Sequence, residues 1–154
     1  MRICAVVPCY NATESILRCL NSLLSQELGA SSSLEVIVAD DGSSDGTADL
    51  VKRTYGERVR TISLGQNRGR SSARNAGAAA TDAEVLLFID ADCVAANPDL
   101  VRSHQASIEG GVDVSFGDVK TPGDGFWARL QEDAAAARRR RARHGETWWF
   151  TTAN

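Results

Sequence analysis

Apolar residues along this chain come in two rhythms that alternate. Short continuous runs lie within Arg2–Pro8, Leu34–Ala39 and Glu84–Ile89, and each stops abruptly at proline or aspartate. Runs of this kind, bounded by turn residues, read as buried strands. Strands that are apolar on both faces suit the middle of a parallel sheet. Arg58–Leu64 and Val112–Val119 read as a third and a fifth strand, with Glu84–Ile89 as the fourth. The stretches between them carry helical spacing. Asn11 is placed to cap a first helix, with Glu14 three residues on as in a capping box. Ile16, Leu20, Leu23 and Leu24 then form one apolar face that runs to about Leu28, before a loop at Gly29–Ser33. A second helix is expected over Thr47–Tyr55, capped by Ser44 or Asp45. A third, Arg70–Ala80, is built from very small residues. A fourth opens on Asn97-Pro98-Asp99 and runs to about Ile108, where Gly110-Gly111 breaks it. Strands and helices alternating in this way predict an α/β fold: an open, mostly parallel, doubly wound, Rossmann-like sheet with helices on both faces. Phe126–Arg143 adds a last helix.

In such a sheet, ligands bind beyond the carboxyl ends of the strands. The acids of this chain gather there. Asp90 and Asp92 follow the fourth strand, one residue apart, and Asp40 and Asp41 follow the second. Carboxylates this close repel each other unless a cation or a proton lies between them. Hard cations such as Mg²⁺ use one or two carboxylates together with the oxygens of a substrate diphosphate. Asp90 and Asp92 therefore suggest a metal–diphosphate site, while strand-end aspartates that only hold a turn are the plainer reading. Arg70 and Arg74 lie one turn apart on the third helix, with Arg68 just before. They form either a solvated basic face or a contact to phosphate oxygens, which guanidinium suits.

Composition narrows the field. The chain has 154 residues, the size of one domain, with 43% hydrophobic and 24% charged residues. A net charge of −3 gives no general attraction to nucleic acid. No apolar run approaches the roughly 20 residues of a membrane span, and the start lacks a leader's apolar core. The expected location is cytoplasmic. Cys4, Cys9, Cys19 and Cys93 have no zinc-type spacing and read as reduced, buried small hydrophobes. Near the end come Arg138, Arg139, Arg140 and Arg141, then Trp148 and Trp149. They fit a surface helix with cations near its C-terminus. The alternative is a peripheral contact with anionic lipid at the inner face of the membrane.

Four motifs in order carry a resemblance. Val6-Val7-Pro8-Cys9-Tyr10-Asn11 ends the first strand, and Val38-Ala39-Asp40-Asp41-Gly42-Ser43 ends the second. Asn67-Arg68-Gly69 with Ala73-Arg74-Asn75 and Gly77 opens the third helix, and Asp90-Ala91-Asp92 ends the fourth strand. Together they resemble the nucleotide-sugar-binding part of a family 2 glycosyltransferase of GT-A fold, over most of the chain. The resemblance implies a metal-assisted transfer of a sugar, with inversion, from a nucleotide-diphosphate sugar, commonly UDP-linked, to an acceptor hydroxyl. It implies that Pro8, Tyr10 and Asn11 line the nucleotide pocket. Asp41 would accept a hydrogen bond from the base. Asn67 and Arg74 would lie near the nucleotide. Asp90 would approach the ribose or the metal, and Asp92 would hold Mg²⁺ or Mn²⁺ against the diphosphate. The acceptor would be a saccharide or a lipid-linked molecule, as in assembly of cell-envelope polysaccharide or glycolipid.

One departure stands out. Family members supply a general base from an acidic motif later than this chain extends. The late acids Glu132, Asp133 and Glu146 sit in no matching motif. Residues 1–154 therefore read as a single domain truncated on its acceptor side, and the alternative function is donor binding without transfer. Two other classes fit poorly. A phosphate-transferring hydrolase with Asp90 as nucleophile wants a late lysine in a context that Lys120 lacks. A nicotinamide enzyme wants a βαβ unit after Gly123-Asp124-Gly125.

Overall fold

The computed structural model describes residues 1–143. The chain divides into two compact units, Met1–Val114 and Ser115–Asn154. The first unit is built on four strands: β1 (Arg2–Cys9), β2 (Ser33–Asp40), β3 (Arg60–Ser63) and β4 (Val85–Phe88). All pair in parallel, in the order β3-β2-β1-β4. Helices α1 (Ile16–Leu24), α2 (Thr47–Tyr55), α3 (Arg70–Ala79) and α4 (Leu100–Glu109) complete the unit. The open α/β sheet anticipated from the apolar runs is therefore present.

β1 is central, and every residue from Ile3 to Cys9 is buried. Its alternate side chains feed two cores. Ala5, Val7 and Cys9, with Val36 and Val38 of β2, pack on Ile16, Cys19, Leu20 and Leu23 of α1 and on Val51 and Tyr55 of α2. The Tyr55 hydroxyl ties these helices together through Leu17 O at 3.1 Å and Asn21 Oδ1 at 2.9 Å. On the other face Cys4, Val6 and Ile37 form a smaller core with Ile62, Ala80 and Ala83. The run of small residues in α3 has its reason here. A Cβ on Gly77 would stand 2.3 Å from Val6 Cγ1, so only glycine allows this close approach of helix and strand.

The order of strands matters for function. From β1 the chain winds outward through β2 to β3, then crosses by α3 to the other side of β1 to form β4. The winding therefore reverses between β1 and β4, and a crevice opens beyond their carboxyl ends.

Three local expectations are corrected. Val112–Val119 forms no strand among the described residues. Val112, Val114, Phe116 and Val119 alternate as a strand would, yet all four are exposed and the sheet stops at β4. Asn11 does not cap α1, which begins at Ile16 after a turn on Ala12 O. α4 starts at Leu100, not at Pro98, and the Val101 N–H is capped from a distance by Gln26 Oε1 at 3.1 Å.

Asn11 has another task. It adopts φ 50°, a left-handed conformation that asparagine tolerates better than most residues. Its Oδ1 accepts the Ser44 N–H at 2.9 Å. The N–H groups of Asn11, Ala12 and Thr13 then donate in turn to Ser43 Oγ, Thr47 Oγ1 and Asp45 Oδ2. The loop after β2 thus supplies acceptors that the loop after β1 lacks. Asp45 Oδ1 accepts from both the N–H and the hydroxyl of Thr47, at 3.0 and 2.6 Å. Slight burial opposes ionisation of Asp45, but hydrogen bonds from Thr47 and Thr13 outweigh it and hold its pKa at about 2, down from 3.8.

In the second unit α5 spans Phe126–Arg143. Arg129 Nε donates to Asp124 O at 2.8 Å, and the Thr121 hydroxyl donates to Gln131 Oε1. The backbone of Arg138–Arg141 belongs to α5, while Trp148 and Trp149 lie outside the described residues. No described helix is long and apolar enough to cross a membrane.

Two measurements test the lock between loops. Thr47→Val keeps the shape but removes the acceptor of the Ala12 N–H, and should lower stability by about 1–3 kcal/mol in urea unfolding. Asp45→Asn tests the charge. Because the folded pKa lies below the unfolded one, the stability that Asp45 contributes is full above about pH 4 and is lost as pH falls through about 2. The difference between wild type and variant should shrink across that window in urea midpoints taken at each pH.

Candidate functional site

A cavity of about 450 Å³ occupies the crevice where the winding reverses. That is within the usual range for small-molecule sites. The end of β1 contributes Pro8, Tyr10 and Asn11. The end of β2 contributes Asp41, and the turn after β4 contributes Asp90 and Asp92. Asn67, Gly69, Arg70 and Ala73 come from the loop before α3 and from its first turn. A larger depression of about 600 Å³ lies at the opposite end of the sheet, against the starts of β2 and β3, and holds none of these residues.

The paired acids at the end of β2 turn out not to face each other's charge. Successive strand residues point to opposite sides, and each carboxylate meets its own donors. Asp40 is 2% exposed and accepts from Ser43 N, from the Ser63 hydroxyl at 3.2 Å and weakly from the Cys9 thiol at 3.7 Å. Asp41 is 3% exposed and accepts the Arg68 N–H on Oδ1 at 2.9 Å and the Gly69 N–H on Oδ2 at 2.8 Å. Asp41 therefore clasps the loop that carries Asn67 and leads into α3. Gly42 completes the clasp. A Cβ there, at φ 76°, would meet the Gln66 backbone at 2.6 Å. A carboxylate has about four acceptor positions, so Asp41 keeps capacity for a donor from the cavity. Asn67 Oδ1 accepts the Gly69 N–H at 3.1 Å.

Asp90 has cations of its own. Arg74 Nη2 lies 2.7 Å from its Oδ1, and Arg70 Nη1 lies 3.5 Å from its Oδ2. The mutual repulsion anticipated for Asp90 and Asp92 is thus relieved by guanidinium. Arg74 is largely covered, its Nε is buried without a hydrogen-bond partner among the described residues, and it holds Asp90 without lining the cavity. Asp92 is exposed, in contact with the Cys93 thiol at 3.8 Å. Three thiols border these acids, Cys9 at Asp40, Cys19 at Asp90 O (3.6 Å) and Cys93 at Asp92. Burial, followed by the charge of Asp40, pushes Cys9 up to about 12, and burial does the same to Cys19.

Of the residues singled out from sequence, Pro8, Tyr10, Asn11, Asp41, Asn67, Asp90 and Asp92 line one cavity, and Arg74 stands behind Asp90. Sequence reading left Arg70, like Arg74, as either part of a solvated basic face or a contact to phosphate oxygens, and did not pair it with Asp90. Its shared face with Arg74 was the available signal, but spacing along a helix does not show which acid the helix meets.

The model of Glycosyl transferase family 2 matches residues 4–152. A succinoglycan biosynthesis protein, ExoO of Rhizobium meliloti, is 34% identical over 134 residues, covering 86% of this chain and 38% of that protein. The crystal structure of S. aureus TarS 1-349 in complex with UDP-GlcNAc superposes with a TM-score of 0.63 at 26% identity, covering 79% of this chain and 39% of that one. The mannosyltransferase PcManGT from Pyrobaculum calidifontis, in complex with GDP-Man and Mn²⁺, gives 0.64 at 26% identity, covering 78% and 36%. The chain thus spans about two fifths of the length of these relatives.

Asp41→Ala should release the clasp. Amide exchange at Arg68 and Gly69 is expected to rise sharply while the amides of β1 stay protected, as read by hydrogen–deuterium exchange. Unchanged protection at those two amides would mean that Asp41 does not hold the loop.

Proposed function

This chain belongs to glycosyl transferase family 2, and we propose that its strand-end cavity binds a nucleotide-diphosphate sugar, UDP-linked, for transfer of the sugar to an acceptor hydroxyl with inversion. The observation that carries this reading is the meeting of Pro8, Tyr10, Asn11, Asp41, Asn67, Asp90 and Asp92 around one cavity at the reversal point of a parallel sheet. TarS bound to UDP-GlcNAc and PcManGT bound to GDP-Man support a nucleotide-sugar donor.

In this reading the base lies against the half-exposed ring of Tyr10 and donates a hydrogen bond to Asp41. Asn11 and Asn67 border the base and ribose. The donor set suits a hard divalent cation that is completed by substrate. No described cluster of three or more His, Cys, Asp or Glu could hold a metal by itself. Asp92 presents an exposed carboxylate, and Asp90 stands beside it. Two carboxylates with diphosphate oxygens are what Mg²⁺ or Mn²⁺ uses, and PcManGT with Mn²⁺ supports that choice. Such an ion, when bound, supplies Lewis-acid stabilisation of negative charge on the leaving diphosphate. Arg74 fixes the direction of Asp90, so that it faces the ribose or the ion. The acceptor is a saccharide or lipid-linked hydroxyl, and its proton goes to a base that the motif residues do not include.

A second reading is donor binding without transfer. One experiment separates the two. The chain is titrated calorimetrically with UDP, with and without Mn²⁺, and then incubated with UDP-sugars. Metal-dependent UDP binding is expected. It should be lost in Asp92→Ala, whose circular dichroism should match wild type. Release of UDP from the sugar donor in the presence of an acceptor favours transfer, and binding without release favours the second reading. A folded chain that binds no UDP overturns the donor site.

A further inference from the structure

We propose that Arg70 is the switching counter-ion of this site: it neutralises Asp90 while the cavity is empty and moves to the donor's diphosphate when a divalent cation binds the acids. The inference rests on the donor-site reading above and adds a residue to it.

The two arginines on Asp90 are not equivalent. Arg74 has a side chain only 17% exposed, makes the shorter contact at 2.7 Å and reaches Asp90 from outside the cavity lining. Arg70 is 43% exposed, makes the longer contact at 3.5 Å and itself lines the cavity. One is built in, and the other is within reach of a ligand. Arg70 also breaks a local preference. It is the first residue of α3, after Gly69 at the cap, and a cation is unfavourable at a helix N-terminus. A residue that opposes local stability at a cavity wall marks a functional demand.

Charge makes the demand specific. Asp41, Asp90 and Asp92 line the cavity, and among the described residues Arg70 is the one basic residue in that lining. A nucleoside diphosphate brings further negative charge against those acids. A guanidinium forms strong charge-assisted hydrogen bonds to phosphate oxygens. A divalent cation near Asp90 and Asp92 repels that same guanidinium. In the absence of nucleotide, Arg70 and the cation therefore compete for Asp90. In its presence they cooperate, because the diphosphate gives Arg70 a new partner. No covalent step is involved.

Competition and cooperation have opposite signs, and a merely structural residue would show neither. The probes are Mn²⁺ alone, followed by electron paramagnetic resonance, then UDP in saturating Mn²⁺ and uridine, followed by calorimetry, on the full chain. Arg70→Gln is expected to bind Mn²⁺ alone several-fold more tightly. It should bind UDP with Mn²⁺ about 10-fold or more weakly, the scale of one lost charge-assisted bond. Uridine, which has no phosphate, should bind as it does to wild type. Arg70→Lys should restore part of the UDP affinity, and it tests the same point if the Gln variant folds poorly. If wild type binds UDP with Mn²⁺ and neither variant changes either affinity, the role of Arg70 is overturned and the donor site stands. If Arg70→Gln weakens Mn²⁺ and UDP alike, Arg70 supports the fold of the site and does not switch. If wild type binds neither probe, the donor site itself falls.

Discussion

Three backbone N–H groups at the end of β1, those of Asn11, Ala12 and Thr13, have no acceptors in their own segment. They find them in Ser43, Thr47 and Asp45, beyond the end of β2. The rest of the site depends on that exchange. Neighbouring parallel strands place their carboxyl ends side by side, but only the hydrogen bonds fix how the chain leaves them. The half-buried Ala12 N–H would be costly to leave unpaired, and with the bonds on either side of it the two loops hold each other in one arrangement. Asn11 is the pivot. Its left-handed backbone turns the chain, and its side chain accepts from Ser44. Tyr10 and Asn11 reach the cavity because of this turn.

The third loop is held by the same logic. Asp41 spends two acceptor positions on the N–H groups of Arg68 and Gly69, and Gly42 lets Gln66 come close. The first turn of α3 is thereby set against the cavity. Gly77 draws the same helix down onto Val6. What looked in sequence like a weakly apolar helix is a helix selected for closeness. Closeness brings Arg74 to Asp90, since a helix one methyl further from the sheet would carry its guanidinium away from the strand end.

Much of this is legible in the sequence. The apolar runs gave the strands, and the helix Thr47–Tyr55 matched its expected limits because its signals are local. Acids at strand ends pointed to one cavity, because parallel strands all end on the same side. The failures share one cause. Asn11 looked like a helix cap because its pattern is local, whereas its real partners lie more than 30 residues away. The cap of α4 is likewise Gln26, a residue from another helix's end. Val112–Val119 shows a strand's alternation, but alternation forms a strand only where a neighbouring edge pairs with it. Arg70 and Arg74 shared a face in sequence, but their common carboxylate belongs to a different element.

The site that results has a fixed half and an adjustable half. Asp41 and Asn11 are bonded to backbone N–H groups, so they present the same geometry with or without a ligand. Arg74 is packed behind Asp90. These groups suit a flat, rigid ligand part, because discrimination among bases needs acceptors that do not move. Asp92 is exposed, and Arg70 is long and half-exposed at the cavity wall. They suit a part whose charge is large and whose conformers are several, which describes a diphosphate. A rigid wall of acids would repel such a group, and a rigid wall of arginines would retain it after reaction. An acid pair balanced by one fixed and one movable guanidinium avoids both outcomes. In the proposed reading, it leaves the site near neutral when empty and able to rearrange its charges around an incoming ion and a departing diphosphate.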